Sequence, residues 1–206
     1  PVAVGGSGQI AQALVALGRE HGVAYQTSTP VTGLAQLPEA RAYLFDLAPA
    51  QVARIAGDHL PARFRRELER YRMGPAIFKV DYALSGSIPW RDPRCRLAST
   101  VHLGGTLEEI AHAERQMWHG TAPEAPFVLL AQQSELDASR APAGKHTGYA
   151  YCHVPARCDV DMTEAIERQI ERHAPGFRDL VLARKTWSPR QIEAHNPANV
   201  GGAITG

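Results

Sequence analysis

The stretch Val2-Ala3-Val4-Gly5-Gly6-Ser7-Gly8-Gln9-Ile10-Ala11 decides how the rest of the chain is read. Gly6 to Ala11 fits the pattern G-x-G-x-x-G/A, follows three apolar residues, and opens a helix with Ile10, Ala13, Leu14 and Leu17 on one face. Three features weigh against a dinucleotide fold. The strand in front has about four residues, where a buried central strand has five or six. Where the pattern places an acidic residue for the ribose hydroxyls, the chain has the neutral run Tyr25-Gln26-Thr27-Ser28. The alternation of strand and helix that builds a doubly wound sheet does not continue downstream. The same residues also read as a glycine turn, Ser7 as N-cap, an amphipathic helix stopped by Gly22, and a following extended segment.

Working outward, 206 residues can bury a core as one domain or one and a half, and a formal net charge of +1 carries no nucleic-acid footprint. The cluster of arginines between Arg63 and Arg72 is interleaved with Glu67 and Glu69 and reads as a solvated helix face. No apolar run approaches the ~20 residues of a membrane span. Cys95, Cys152 and Cys158 suit a reducing, cytoplasmic setting without a disulfide framework, and their spacing is not that of a metal site. Both chain ends fall inside glycine-rich motifs, so the expectation is a piece of a longer polypeptide.

Residues 23–34 read as extended with Pro30 at an edge, and 42–47 as a short apolar strand. A small helix over 50–56 and a charged one over 63–72 follow. In Ile77 to Leu84 one face carries Phe78, Val80, Tyr82 and Leu84 and the other Lys79 and Asp81, a half-buried strand. Strands over 97–103, 127–131 and 147–154 join it; Thr106 and Glu109 form a capping box for the helix between the first two. A helix from about Asp161 carries Met162, Ile166 and Ile170 as a stripe; residues 177–187 run extended; Ser188-Pro189-Arg190-Gln191 starts another helix. The predicted class is α+β, with a mixed, largely antiparallel sheet and helices on one face. Residues 1–57 form one part and 58–206 the main domain.

The uncovered sheet face is the candidate ligand floor. It carries Lys79 and Asp81 from one strand, His102 from the next, and Tyr149, Tyr151 and His153 from the last. Each has a structural reading beside the functional one. A tyrosine is more often core, a lone histidine more often hydrogen-bonded scaffolding, and a Lys/Asp pair more often a solvent-facing ion pair. No Gly-x-Ser-x-Gly elbow, His-Glu-x-x-His or phosphate loop is present.

Several blocks in order resemble phytoene dehydrogenase-like, carotenoid desaturase-related FAD-dependent oxidoreductases. They are Val4 to Leu14 with Thr29 to Leu34, Tyr71 to Pro75, Ile88 to Pro93, Thr100 to Gly105, Pro142 to Pro155, Ala174 to Phe177 and Asn196 to Gly202. The resemblance implies an enzyme passing a hydride between a hydrophobic substrate and FAD, with this chain as its middle, substrate-binding portion and inactive alone. It implies that Val31 meets the adenine of FAD through its backbone, and that Gly201 and Gly202 lie in a loop leading to the flavin. It places no catalytic acid or base. Residues 1–57 would pack on a missing FAD-binding part, leaving Ile10, Leu14 and Leu17 exposed or in an oligomer contact, and peripheral membrane association of the full protein stays open. Two alternatives remain: a non-catalytic α+β module holding an apolar ligand, and a small NAD-dependent reductase using the opening glycines.

Overall fold

The computed structural model describes residues 2–205. Five strands form one sheet: β1 (Ala76–Leu84), β2 (Thr100–Leu103), β3 (Val128–Ala131), β4 (His146–Val154) and β5 (Val181–Trp187), in the order β2-β3-β4-β1-β5. Every pairing is antiparallel, so the expected mixed sheet resolves into a purely antiparallel one. The long central pair, β1 with β4, runs in register from Ala76 opposite Val154 to Leu84 opposite His146.

The alternation read in β1 is what the sheet uses. Phe78, Val80, Tyr82 and Leu84 share a buried face with Val128, Leu130, Ala150, Cys152 and Val154. Helix α6 (Thr163–His173) covers that face with Ile166 and Ile170, both at 0% exposure, aided by Met162 and Ala174. The stripe at i, i+4, i+8 is the one the sequence shows. Phe177, just past the helix, closes the layer edge-to-face on Tyr82 with ring centroids 5.2 Å apart. Glu167 is also turned inward, at 3% exposure, and is neutralised by Arg184 of β5, with Nη2 donating to Oε2 at 3.1 Å. Desolvation by burial, helped by that carboxylate, pushes the Tyr82 hydroxyl far above the usual phenol range.

Before β1 the chain forms α1 (Gly8–Glu20), α2 (Pro49–Ala56) and α3 (Ala62–Glu69). Between strands lie α4 (Leu107–Trp118) and α5 (Gln133–Leu136), and α7 (Pro189–His195) follows β5. The Thr106/Glu109 and Ser188/Gln191 capping boxes are both present. Four expectations are corrected. Residues 2–4, 23–34 and 42–47 join no strand: Val4 and Leu44 are 77% and 98% exposed, and an apolar run becomes a strand only where a sheet edge receives it. Helix α6 begins at Thr163, because the Asp161 carboxylate accepts the Thr163 N–H at 2.8 Å, while Glu164 turns to Arg178 at 2.7 Å instead of closing a box. The last extended run starts only at Val181, after a 3-10 turn over Arg178–Leu180. Helices are not confined to one face, since α7 sits over one end of the other.

Helix α1 has no buried residue; Ile10, Leu14 and Leu17 are 50–62% exposed. Among the described residues no helix is long and apolar enough to cross a membrane.

The α6 layer carries the fold's stability. Phe177→Ala removes a ring with no exposed surface, and loss of its transfer energy plus the cavity left behind is expected to cost ~3–5 kcal/mol. The midpoint of a urea titration reads this directly, and a loss under ~1 kcal/mol would contradict the packing described.

Candidate functional site

The face of the sheet opposite α6 gathers all six candidate residues. Register alone aligns two rows across five strands. The first is His102, Leu129, Tyr151, Lys79 and Trp187; the second is Thr100, Ala131, Tyr149, Asp81 and Lys185. His153 follows, opposite Ile77. Because side chains repeat every two residues, the β1 alternation that buries Phe78 and Val80 obliges Lys79 and Asp81 to share this side with Tyr149 and Tyr151.

At its centre the polar groups satisfy one another. Lys79 Nζ lies 2.6 Å from Asp81 Oδ1 and 4.8 Å from the Tyr149 ring centre. The other Asp81 oxygen accepts the Trp187 indole N–H at 2.8 Å, and Lys185 Nζ stands 4.3 Å over the Trp187 ring. Each ring carries a cation over one face, and Asp81 ties Lys79 to the Trp187 indole. Desolvation, helped by neighbouring Tyr149, raises the Tyr151 hydroxyl above the usual phenol range, so it remains a neutral donor at ordinary pH.

Clefts open on either side. One of about 220 Å³ is lined by His102, Phe127, Leu129, Tyr151 and His153. His153 is anchored by Glu114 of α4, whose Oε2 is 3.0 Å from Nδ1. The other, about 200 Å³, lies under α7 between Ile77, Lys79, Trp187, Ile192, His195 and Ile204. Sequence reading missed Trp187, Lys185, Leu129 and Glu114. The first two required β5 to be placed at the sheet edge, and its run Val181–Trp187 shows no clean alternation, with four consecutive exposed residues at its centre.

The cofactor positions lie elsewhere. Val31 lines a cleft of about 550 Å³ whose walls combine apolar Leu44, Phe45, Leu47, Ile55 and Pro197 with charged Asp46 and Arg54. Gly201 and Gly202 are buried in a 3-10 turn against α7. Gly202 has φ +90°, and a Cβ there would stand 2.5 Å from Pro189, so packing already accounts for the glycine. The opening glycine turn does not fit a pyrophosphate: its Gly5 N–H already donates to the Asp137 carboxylate at 2.8 Å, and Arg140 donates to the Gly5 carbonyl at 2.8 Å. An anion is already seated where the phosphate would approach. Among the described residues no three potential metal ligands gather.

No protein-family model matches the chain, and no curated protein matches it. Among solved structures it is similar to an oxidoreductase from Methanosarcina mazei, at 16% identity and a TM-score of 0.42, over 69% of this chain. It spans 29% of that protein. At such values the likeness carries no argument about activity, and the resemblance to phytoene dehydrogenase-like enzymes rests on the sequence blocks alone.

Two measurements check this geometry. Asp81→Ala frees Lys79 and the Trp187 indole together, so Trp187 emission is expected to shift red with little loss of stability; an unchanged spectrum would contradict the tether. The Ser139 hydroxyl, followed by the Gly5 N–H, holds the Asp137 carboxyl below the usual carboxylate range. A lowered native pKa contributes stability above the unfolded value of ~3.9, and that contribution is lost as pH falls through the native value. Protection of the Gly5 amide from hydrogen exchange should therefore persist at neutral pH and fade on acidification, and be weak at every pH in Asp137→Ala.

Proposed function

We propose that this chain is the substrate-binding part of an FAD-dependent oxidoreductase of the phytoene dehydrogenase-like kind, with the open sheet face as the floor of the substrate site. The observation that carries the reading is the convergence of Tyr149, Tyr151, Trp187, Lys79 and Asp81 on one accessible face, flanked by two clefts. When bound, the flavin would accept a hydride from, or return one to, a carbon of the substrate.

The chain's own residues bind and orient. Leu129, Tyr151 and Trp187 offer apolar and π surface along one row, and burying it beneath a ligand expels water from the reacting region. Asp81 fixes the Trp187 ring from below, and the Tyr151 hydroxyl, kept protonated, donates a hydrogen bond to any polar end of the substrate. In this reading Val31 and its cleft take the adenine ring, while the phosphates are held by residues outside this chain. The exposed stripe Ile10, Leu14 and Leu17 then meets the flavin-binding part or a second copy, and a hydrophobic substrate makes association with a membrane surface expected of the whole enzyme.

A fluorescence titration with a conjugated polyene alcohol such as retinol tests the site. Saturable quenching is expected, weakened at least ~10-fold, or ~1.4 kcal/mol, by Tyr151→Glu. Linear, non-saturating quenching would remove the open face as a binding site. Expression together with the flanking reading frame should yield bound flavin with its visible absorption bands and polyene-dependent flavin reduction. Polyene binding without any flavin in that longer protein would favour the non-catalytic module.

A further inference from the structure

At the far end of the sheet, away from the open face, three side chains meet in an arrangement unrelated to flavin chemistry. Ser87, in the loop after β1, has its Oγ 3.2 Å from Nε2 of His146, the first residue of β4. On the other side of the ring, Nδ1 is 3.3 Å from Glu135 Oε1 of α5 and 3.3 Å from Ser134 Oγ. The residues come from three separate elements, held together by the β1–β4 pairing that sets Leu84 opposite His146.

The surrounding acceptors favour the tautomer with the proton on Nδ1. Ser134 Oγ accepts the Thr147 N–H at 3.0 Å and donates its own hydrogen to the Thr147 carbonyl at 3.3 Å. With its hydrogen on that carbonyl, it accepts from the imidazole. The Glu135 carboxylate, also an acceptor, faces the same nitrogen. Nδ1 consequently carries the proton, Nε2 carries the lone pair, and the Ser87 hydroxyl is the donor to Nε2. This is the protonation pattern a nucleophilic serine requires: a base on the hydroxyl, and a carboxylate behind the base. The side chains of His146 and Glu135 keep 24% and 16% exposure, so the cluster is sheltered and still reachable. Gly86 and Ser87 N–H, beside the hydroxyl, have no intramolecular acceptor among the described residues and are the available donors for a developing oxyanion.

We propose that Ser87, His146 and Glu135 form a second site, an acyl-transfer centre that cleaves small carboxylic esters. Ser87 Oγ bonds to the acyl carbon as its proton passes to Nε2 of His146. The bond from that carbon to the leaving oxygen then breaks, and the alcohol departs with the proton from Nε2. Water repeats the sequence on the acyl-serine, delivering its proton to Nε2, and releases the carboxylic acid. Ser87 is the nucleophile, His146 the base, Ser134 the residue that holds the imidazole through Nδ1, and Glu135 a positioning residue whose negative charge stands 3.3 Å from that nitrogen while the ring is charged.

The test is labelling of the full chain with an alkyl fluorophosphonate, in which Ser87 Oγ displaces fluoride, followed by peptide mapping. Ser139 is the internal reference, an exposed serine whose hydroxyl is bonded to the Asp137 carboxylate and not to an imidazole. Ser87 is expected to label at least ~100-fold faster than Ser139. His146→Gln should bring it to the Ser139 rate at unchanged circular dichroism, and Glu135→Gln should slow it less. Turnover of 4-nitrophenyl acetate should vanish in Ser87→Ala, a loop change that leaves the sheet intact. Equal labelling of Ser87 and Ser139 in the native chain overturns the proposal, as does wild-type labelling in folded His146→Gln. Should His146→Gln fail to fold, the native comparison and Ser87→Ala decide the matter alone.

Discussion

Everything in this protein hangs on the burial of one face of the β1–β4 pair beneath α6. Val80, Ala150, Val154, Ile166, Ile170 and Phe177 all reach 0% exposure there. Once that face is committed, the pleat leaves no choice about the other: every second residue of β1, β3, β4 and β5 must face away from α6. The candidate ligand floor is thus a by-product of core packing. A one-residue slip in β1 would bury Lys79 and Asp81 and expose Phe78 and Val80, a cost no surface contact could offset.

The same constraint explains which parts were legible in the sequence. Period-two alternation in residues 77–84 and 147–154 is a local signal, and it placed Lys79, Asp81, Tyr149 and Tyr151 on one face before any pairing was known. His102 and His153 followed from the neighbouring strands. What failed was non-local. Residues 42–47 are as apolar as a real strand, yet no edge receives them, and Leu44 stands almost fully exposed. Residues 181–187 alternate poorly but become a strand because β1 offers its free edge.

Buried polar groups were equally out of reach. Gln132, at 1% exposure, accepts the Trp90 indole N–H at 3.0 Å and donates to the Ala98 carbonyl at 2.7 Å, joining the 88–98 loop to the end of β3. Glu167 sits on the core face of α6, where helical periodicity calls for an apolar residue, and is stable because Arg184 arrives from a strand paired elsewhere, with Arg178 beside it. Such residues read as surface in a sequence. Their burial is decided by a partner whose approach depends on the whole topology, and for the same reason removing one partner costs more than the pair contributes.

Two histidines of β4 show how the fold sorts similar residues into different chemistry. His153 lies on the open face, where it is hydrogen-bonded to Glu114 and the rest of the ring borders a cleft. His146 lies at the other end of the same strand and is bonded on both nitrogens, with Ser134 committing one as a donor and leaving the other as a base toward Ser87. They stand seven positions apart on the strand, an odd number, so they also point to opposite faces. One strand therefore carries the candidate binding surface at one end and the proposed proton-accepting site at the other. The β1–β4 ladder, extending unbroken from one to the other, keeps both rigid, which a loop-borne arrangement of the same residues would not do.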